Sequence, residues 1–168
     1  MTELRTRPGE LLNRVAGGEA FIIERNGRRE ACLVPLSHFF PDIPPTRIAE
    51  EIQTLEDHAE SPRTTITDER ELAFRFPHQI ADGSLTEVSI LLPHGYPSVC
   101  PRVYASDLRS TVPHRWSDGA LCLYGAVSGW NPGKHTVYST LQLARQWLRR
   151  YDEWIRDGQW PQPGEPSS

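Results

Sequence analysis

The chain has 168 residues, 38% of them hydrophobic and 24% charged, and a formal net charge of −4. That balance suits a globular chain, argues against a disordered one, and weighs against a general nucleic-acid binder. No apolar run reaches the ~18–20 residues of a bilayer crossing, and the opening MTELRTRPGE lacks the apolar stretch of a secretion signal.

The charge is uneven: residues 1–40 hold six Arg against five Glu, and residues 41–168 hold twelve basic against seventeen acidic groups. The first forty residues are therefore expected to form a separate unit. Pro8-Gly9-Glu10 opens a short helix with Leu11, Leu12 and Val15 on one face, and Gly17-Gly18 stops it. AFIIER (20–25) is an apolar strand, Asn26-Gly27 is a type I′ turn pair, and RREACLV (28–34) returns, with Cys32 as a strand filler. A helix and a hairpin bury too little to stand alone, so this unit is expected to pair with a second copy or to dock. PDIPP (41–45), with three prolines, reads as a linker.

The stretch ELRTRPGELLNRVAGGEAFIIERNGRREACLVPLSHF resembles the N-terminal domain of Phd/YefM-type antitoxins. The resemblance implies a homodimer through residues 1–40 that binds operator DNA, with Arg5, Arg7 and Arg14 as phosphate contacts. The family's usual first strand is missing from this stretch, as is its toxin-neutralising tail. The same arginines read equally as a solvated face, and the unit as a docking element or a fusion remnant.

Past residue 45, Thr46 is expected to cap a helix, RIAEEIQTLEDH, with Ile48, Ile52 and Leu55 on its buried face. After Ser61-Pro62 the period becomes two. Leu72, Phe74 and Phe76 alternate with Glu71 and Arg75, Val88, Ile90 and Leu92 alternate with Glu87 and Ser89, and ADGS (81–84) joins them as a hairpin. GYPSVCPRVYAS places prolines around a further strand, which predicts a sheet edge, with Cys100 as packing. Residues 106–136 show no period, the mark of a functional loop. Thr136 then starts a long amphipathic helix on Val137, Leu141, Ala144, Leu148, Tyr151 and Ile155, and Gly158 ends it. Trp147, Trp154 and Trp160 read as core and cap, and His58, His78 and His94 as exposed loop residues. The order predicts an α+β architecture, helices against an antiparallel sheet, over residues 46–162, followed by a disordered tail at 163–168.

Cys122 lies in the aperiodic stretch, HRWSDGALCLYGAVSGW. Asp118-Gly119 is a turn just before it, Leu121 and Leu123 anchor the backbone, and Trp130-Asn131-Pro132-Gly133 is a second turn. A lone cysteine is most often a small core hydrophobe. As a metal ligand it lacks partners at zinc-site spacing. As a protease-type nucleophile it would use His114 or His135 as base.

YPSVCPRVYAS followed by HRWSDGALCLYGAVSGWNPGKHTVYSTLQLARQWL resembles the core of ubiquitin-conjugating enzymes, and the ending ARQWLRRYDEWIRDGQWP resembles more narrowly the bacterial branch found in CBASS anti-phage systems. The resemblance implies the ubiquitin-conjugating-enzyme-like fold: N-terminal helix, antiparallel meander, active-site loop and C-terminal helix. It implies a cysteine-dependent acyltransferase, for which no cofactor and no metal are expected; separately, three scattered cysteines, Cys32, Cys100 and Cys122, with no CxxC pair, point to free thiols in a reducing cytoplasm. In it Cys122 is the thioester-forming nucleophile, and His114 matches the first position of the family's HPN motif and supports the loop. Arg115 and Trp116 replace the motif's proline and asparagine. The oxyanion support of that asparagine would fall to a backbone N–H, to Asn131 or to His114, and Asp118 is a further candidate as proton acceptor. The implied acyl donor is the C-terminus of a cyclic-nucleotide synthase or a ubiquitin-like protein. No nucleotide loop is present to adenylate it, so a separate activating enzyme would supply that step. Two other functions remain open at this point: a non-catalytic module that holds a peptide tail, and an autoregulatory DNA-binding protein.

Overall fold

The structure, a computed structural model, describes residues 7–124 and 129–161. Arg5 and the tail expected to be disordered lie outside the described residues. The chain divides into two compact units, Met1–Pro45 and Thr46–Ser168.

In the first unit, α1 (Pro8–Ala16) begins with proline at its first position, where the missing N–H has no partner to lose. Leu11 and Val15, one turn apart, are buried, whereas Leu12 is 56% exposed; a step of one residue turns it about 100° off the face it was expected to share. β1 (Phe21–Arg25) and β2 (Arg28–Leu33) pair antiparallel. Asn26 and Gly27 both take positive φ, 52° and 74°, the conformation a two-residue type I′ turn demands. Cys32 is exposed and pairs across from the exposed Ile22, so it does not fill a core. A one-turn α2 (Leu36–Phe39) follows.

The second unit opens with α3 (Pro45–Asp57). Because Pro45 already occupies the first turn, Thr46 is not the cap. The buried face is Ile48, Glu51 and Leu55, and Ile52 is 40% exposed. A carboxylate therefore takes the place expected for isoleucine.

β3 (Arg63–Ile66), β4 (Leu72–Gln79), β5 (Leu85–Leu92) and β6 (Arg102–Ala105) form an antiparallel meander in the order β3-β4-β5-β6. The β4–β5 register sets Leu72, Phe74 and Phe76 opposite Leu92, Ile90 and Val88, and all six are buried. β6 adds Val103 opposite Ile90 at the edge, as the flanking prolines suggested. The polar face carries a ladder, half-buried Glu87 between exposed Arg63 and half-buried Arg75 at 2.9 and 2.8 Å. His78 is on β4, not in a loop, and is half-buried: period two puts it on the same face as Phe74 and Phe76.

α4 (Val137–Asp157) covers β5 with Val137, Leu141, Ala144, Trp147, Leu148 and Tyr151. Both of its ends are written locally. Thr136 accepts from Ser139 N–H while Ser139 accepts back from Thr136, a capping box. Gly158 closes the helix in the left-handed conformation, φ 73°. Helices against an antiparallel meander, this is the α+β architecture that the order of elements predicts.

Candidate active site

The segment around Cys122 is irregular but heavily hydrogen-bonded. Arg115 and Leu121 bridge antiparallel, and between them Trp116 N–H donates to Ala120 O at 2.8 Å and Gly119 N–H to Trp116 O at 2.9 Å. Asp118 Oδ1 accepts from Ala120 N–H at 3.0 Å, and Gly119 takes φ 88°. Asp118 thus shapes this turn and also lies 3.6 Å from Arg102. Arg115, which the resemblance sets in place of the HPN proline, closes the turn by donating from Nε to Gly119 O at 2.9 Å. Leu121 N–H then joins the hairpin to the sheet through Val103 O, at 2.7 Å.

Cys122 is half-buried. Its N–H donates to His114 O at 3.0 Å. Leu123 N–H reaches back to Leu121 O at 3.1 Å, which makes Cys122 the central residue of a γ-turn. His114 holds φ 57°, and its carbonyl also accepts from Trp147 Nε1–H at 3.1 Å. The His114 ring is exposed and lies 5.0 Å from the Trp160 ring. His114 therefore supports the cysteine segment through its backbone.

Beyond residues 125–128, Trp130 donates from Nε1 to Pro97 O at 2.6 Å. Its ring sits 5.8 Å from Tyr96, 5.4 Å from Tyr124 and 5.5 Å from His135. Asn131 builds the following turn: its Oδ1 accepts from Gly133 N–H at 2.9 Å, and its own N–H donates to His135 Nδ1 at 2.9 Å. A backbone N–H can only donate, so Nδ1 is the acceptor and the His135 proton sits on Nε2. Tyr124, two residues past the cysteine, is tied by its hydroxyl to Thr140 Oγ1 at 2.7 Å.

The turn is held from below by a buried polar cluster that sequence reasoning missed. Glu51, fully buried, accepts from Val137 N–H at 2.6 Å, from the Tyr96 hydroxyl, and from Arg47 at 2.7 Å. Arg47 also donates to His135 O at 2.7 Å and Pro132 O at 3.2 Å. Burial pulls the Arg47 guanidinium toward deprotonation, but the Tyr96 hydrogen bond and the Glu51 charge outweigh it and raise its pKa. Burial, then the hydrogen bond to Glu51, drive the Tyr96 phenol far above its ordinary range, so Tyr96 is a permanent donor here. The one available signal was the spacing of Arg47 and Glu51, four apart on a helix.

On one side of the cysteine segment lies a groove of about 520 Å³ lined by Cys100, Arg102, Val103, Trp116, Leu121, Leu123, Tyr124 and Trp130 among others. The leucines on both sides of Cys122 form part of its wall. Trp116, which the resemblance sets in place of the HPN asparagine, is 60% exposed. Among the described residues no group of His, Cys, Asp and Glu is placed to hold a metal, and no helix is long and apolar enough to cross a membrane. Of the arginines proposed for DNA, the two described ones belong to the first unit: Arg7 pairs with Glu10 at 3.3 Å, and Arg14 pairs with Glu19 at 2.7 Å with its guanidinium over Phe21.

Residues 51–167 match the family model described as type II CBASS E2 protein. Comparison with curated proteins finds no match.

Proposed function

Because the chain belongs to the type II CBASS E2 protein family, with a ubiquitin-conjugating-like role in CBASS defence, we propose that Cys122 carries an acyl group as a thioester and delivers it to an amine. The observation that carries this reading is the placement of Cys122: a half-buried thiol at the centre of a γ-turn, its N–H anchored on His114 O, with its two neighbours walling an open groove.

In the first step the Cys122 thiolate attacks the thioester carbonyl at the C-terminus of the donor. A C–S bond forms to Sγ as the donor's own C–S bond breaks, and the departing thiolate takes the electron pair. The exchange converts one thioester into another, so it needs no strong base beside the nucleophile. In the second step an amine attacks the acyl carbon, a C–N bond forms, Sγ leaves as thiolate, and the amine's proton passes to water or a nearby carboxylate. An oxyanion develops on the way, and one well-placed donor is worth about 3–4 kcal/mol to it. Asn131 suits that task. Its Oδ1 is committed to Gly133 N–H, which leaves the amide NH₂ as its remaining side-chain donor.

The donor we propose is the C-terminal tail of the system's cyclic-nucleotide synthase, extended along the groove with an apolar side chain against Trp116 and Leu123. Adenylation is supplied by a separate enzyme. The test is intact-protein mass spectrometry after mixing with the synthase and its activating enzyme. A thiol-labile adduct at Cys122 is expected, replaced in Cys122→Ser by a thiol-stable ester or by nothing. If wild type and Cys122→Ser both stay unmodified while the protein still binds the tail, a peptide-holding module replaces this reading.

A further inference from the structure

We propose that the buried Arg47–Glu51 pair is positioning machinery for the acyl transfer: it sets the 130–137 turn and, through Trp130 and Tyr124, the orientation of Cys122. The inference rests on the thioester reading above and extends it to a helix that does not touch the reacting atoms.

The chain of contacts is continuous. Glu51, on α3, holds the first N–H of α4 at Val137. The neighbouring fork of Arg47 grips two carbonyls of the intervening turn, Pro132 O and His135 O, 88 or fewer residues away in sequence. Tyr96 joins the pair through its hydroxyl and meets Trp130 through its ring. Trp130, fixed by its bond to Pro97 O, lies against Tyr124. Tyr124 is two residues from Cys122, and its hydroxyl is anchored to Thr140 of the same helix that Glu51 starts.

The composition of the cluster also fits positioning better than bulk stability. Glu51 is on the face that Ile48 and Leu55 share, both nearly fully buried, and a well-packed apolar residue there is often at least as stable as a buried ion pair. Arg47 leaves its Nε buried with no partner among the described residues. What an apolar pair cannot do is hold carbonyls and an N–H at fixed angles, which a planar fork and a carboxylate do. A lysine at position 47 keeps the charge but lacks the fork. Misplacement of about 1 Å at a distance from the chemistry can slow a reaction ~100-fold, so a looser turn should be visible in rate.

The test is Arg47→Lys in the full chain, compared with Leu55→Ala, a buried apolar change on the same helix. Two rates are read per folded molecule: single-turnover thioester formation, and alkylation of Cys122 by iodoacetamide located by peptide mass mapping. Arg47→Lys is expected to load about tenfold more slowly with an unchanged donor KM, and to alkylate Cys122 at an altered rate. Leu55→Ala is expected to lose stability while both rates stay at wild-type values. Wild-type rates in folded Arg47→Lys, or equal slowing in Leu55→Ala, overturn the proposal. If Arg47→Lys does not fold, Tyr96→Phe replaces it, with about threefold slower loading expected from loss of one hydrogen bond and wild-type rates again overturning it. If wild type itself forms no thioester, the function proposed above fails, and positioning is then decided by alkylation alone: a shifted Cys122 rate in Arg47→Lys supports it and an unshifted one overturns it.

Discussion

His114 holds Cys122 with its backbone, not its ring: the Cys122 N–H and the Trp147 indole N–H converge on the His114 carbonyl at 3.0 and 3.1 Å. To present that carbonyl, His114 sits at φ 57°, a region that costs an L-residue about 1–2 kcal/mol and that short polar side chains and glycine tolerate best. The imidazole matters less than the conformation. His114→Gly and His114→Asn should therefore stay within about threefold of the wild-type loading rate, while His114→Val should lose about 1–2 kcal/mol in urea unfolding and load poorly. Trp147→Phe keeps an aromatic ring but removes the N–H donor and the pyrrole half of a buried indole, so its loss is about 1 kcal/mol for the hydrogen bond plus that of the cavity left behind. Loss of loading in His114→Gly with normal stability would return the role to the ring.

Trp116 offers a cleaner test of the groove. At 60% exposure, its truncation should move stability by less than about 0.5 kcal/mol. If the donor tail runs along the groove, Trp116→Ala should raise the donor KM about tenfold and leave the single-turnover rate at saturation unchanged, since the contact is made equally in ground and transition states. A fall in the saturated rate with KM intact would place Trp116 at the reacting centre.

The parts of this molecule that follow local rules were legible before any coordinates. Thr136 and Gly158 bracket α4 because a capping hydroxyl and a left-handed glycine act within one turn, and Asn26-Gly27 needs only its own two φ values. Asp118-Gly119 and Trp130-Asn131-Pro132-Gly133 read as turns for the same reason. What stayed hidden depends on partners far along the chain. On a helical wheel Ile52 is as good an inward residue as Glu51. Only Tyr96 and Val137, 45 and 86 residues away, make the carboxylate the buried one. β3, four residues of RTTI with one half-buried position, carries too little pattern to be seen alone. His78 follows Pro77, a residue that ordinarily marks the end of a ladder, so its place on β4 does not show in the sequence. The match of the Cys122 region to its family was visible in residues, but that His114 acts by its carbonyl is a fact of φ and of Trp147, neither of which a motif records.

The position of His78 predicts a pH dependence. Burial lowers its pKa first, and the positive charge of Arg145 adds to that, with Arg149 in the same sense and Asp152 opposing. Because the folded-state value lies below the unfolded one, the unfolded chain binds more protons between the two, and stability rises with pH there. The contribution is fully present above the unfolded value of about 6.5 and is lost as pH falls through the folded one. Urea midpoints measured at pH 7.5 and pH 5.5 should thus fall more in wild type than in His78→Gln. An equal fall in both would mean that His78 titrates as it does in the unfolded chain.

On the proposed reading, substitution of Asn131 separates the two steps of the transfer. Asn131→Asp retains an oxygen to accept Gly133 N–H, so the turn that Asn131 Oδ1 builds at 2.9 Å should survive, and with it the His135 Nδ1 contact to the backbone N–H. What the substitution removes is the amide NH₂. Thioester exchange passes through a tetrahedral oxyanion too, but a thiolate attacks and leaves more readily than an amine, so exchange should slow less than aminolysis. Aminolysis of the loaded Cys122 should slow by about 100-fold, the usual consequence of deleting one oxyanion donor. Asn131→Ala loses both atoms and should slow both steps, because the turn then loosens as well. The measurement is a pulse-chase: load the protein, remove the donor, add free lysine, and follow decay of the adduct by mass. Discharge of loaded Asn131→Asp at the wild-type rate would remove Asn131 from the oxyanion role and leave backbone N–H groups or His135 Nε2–H to fill it.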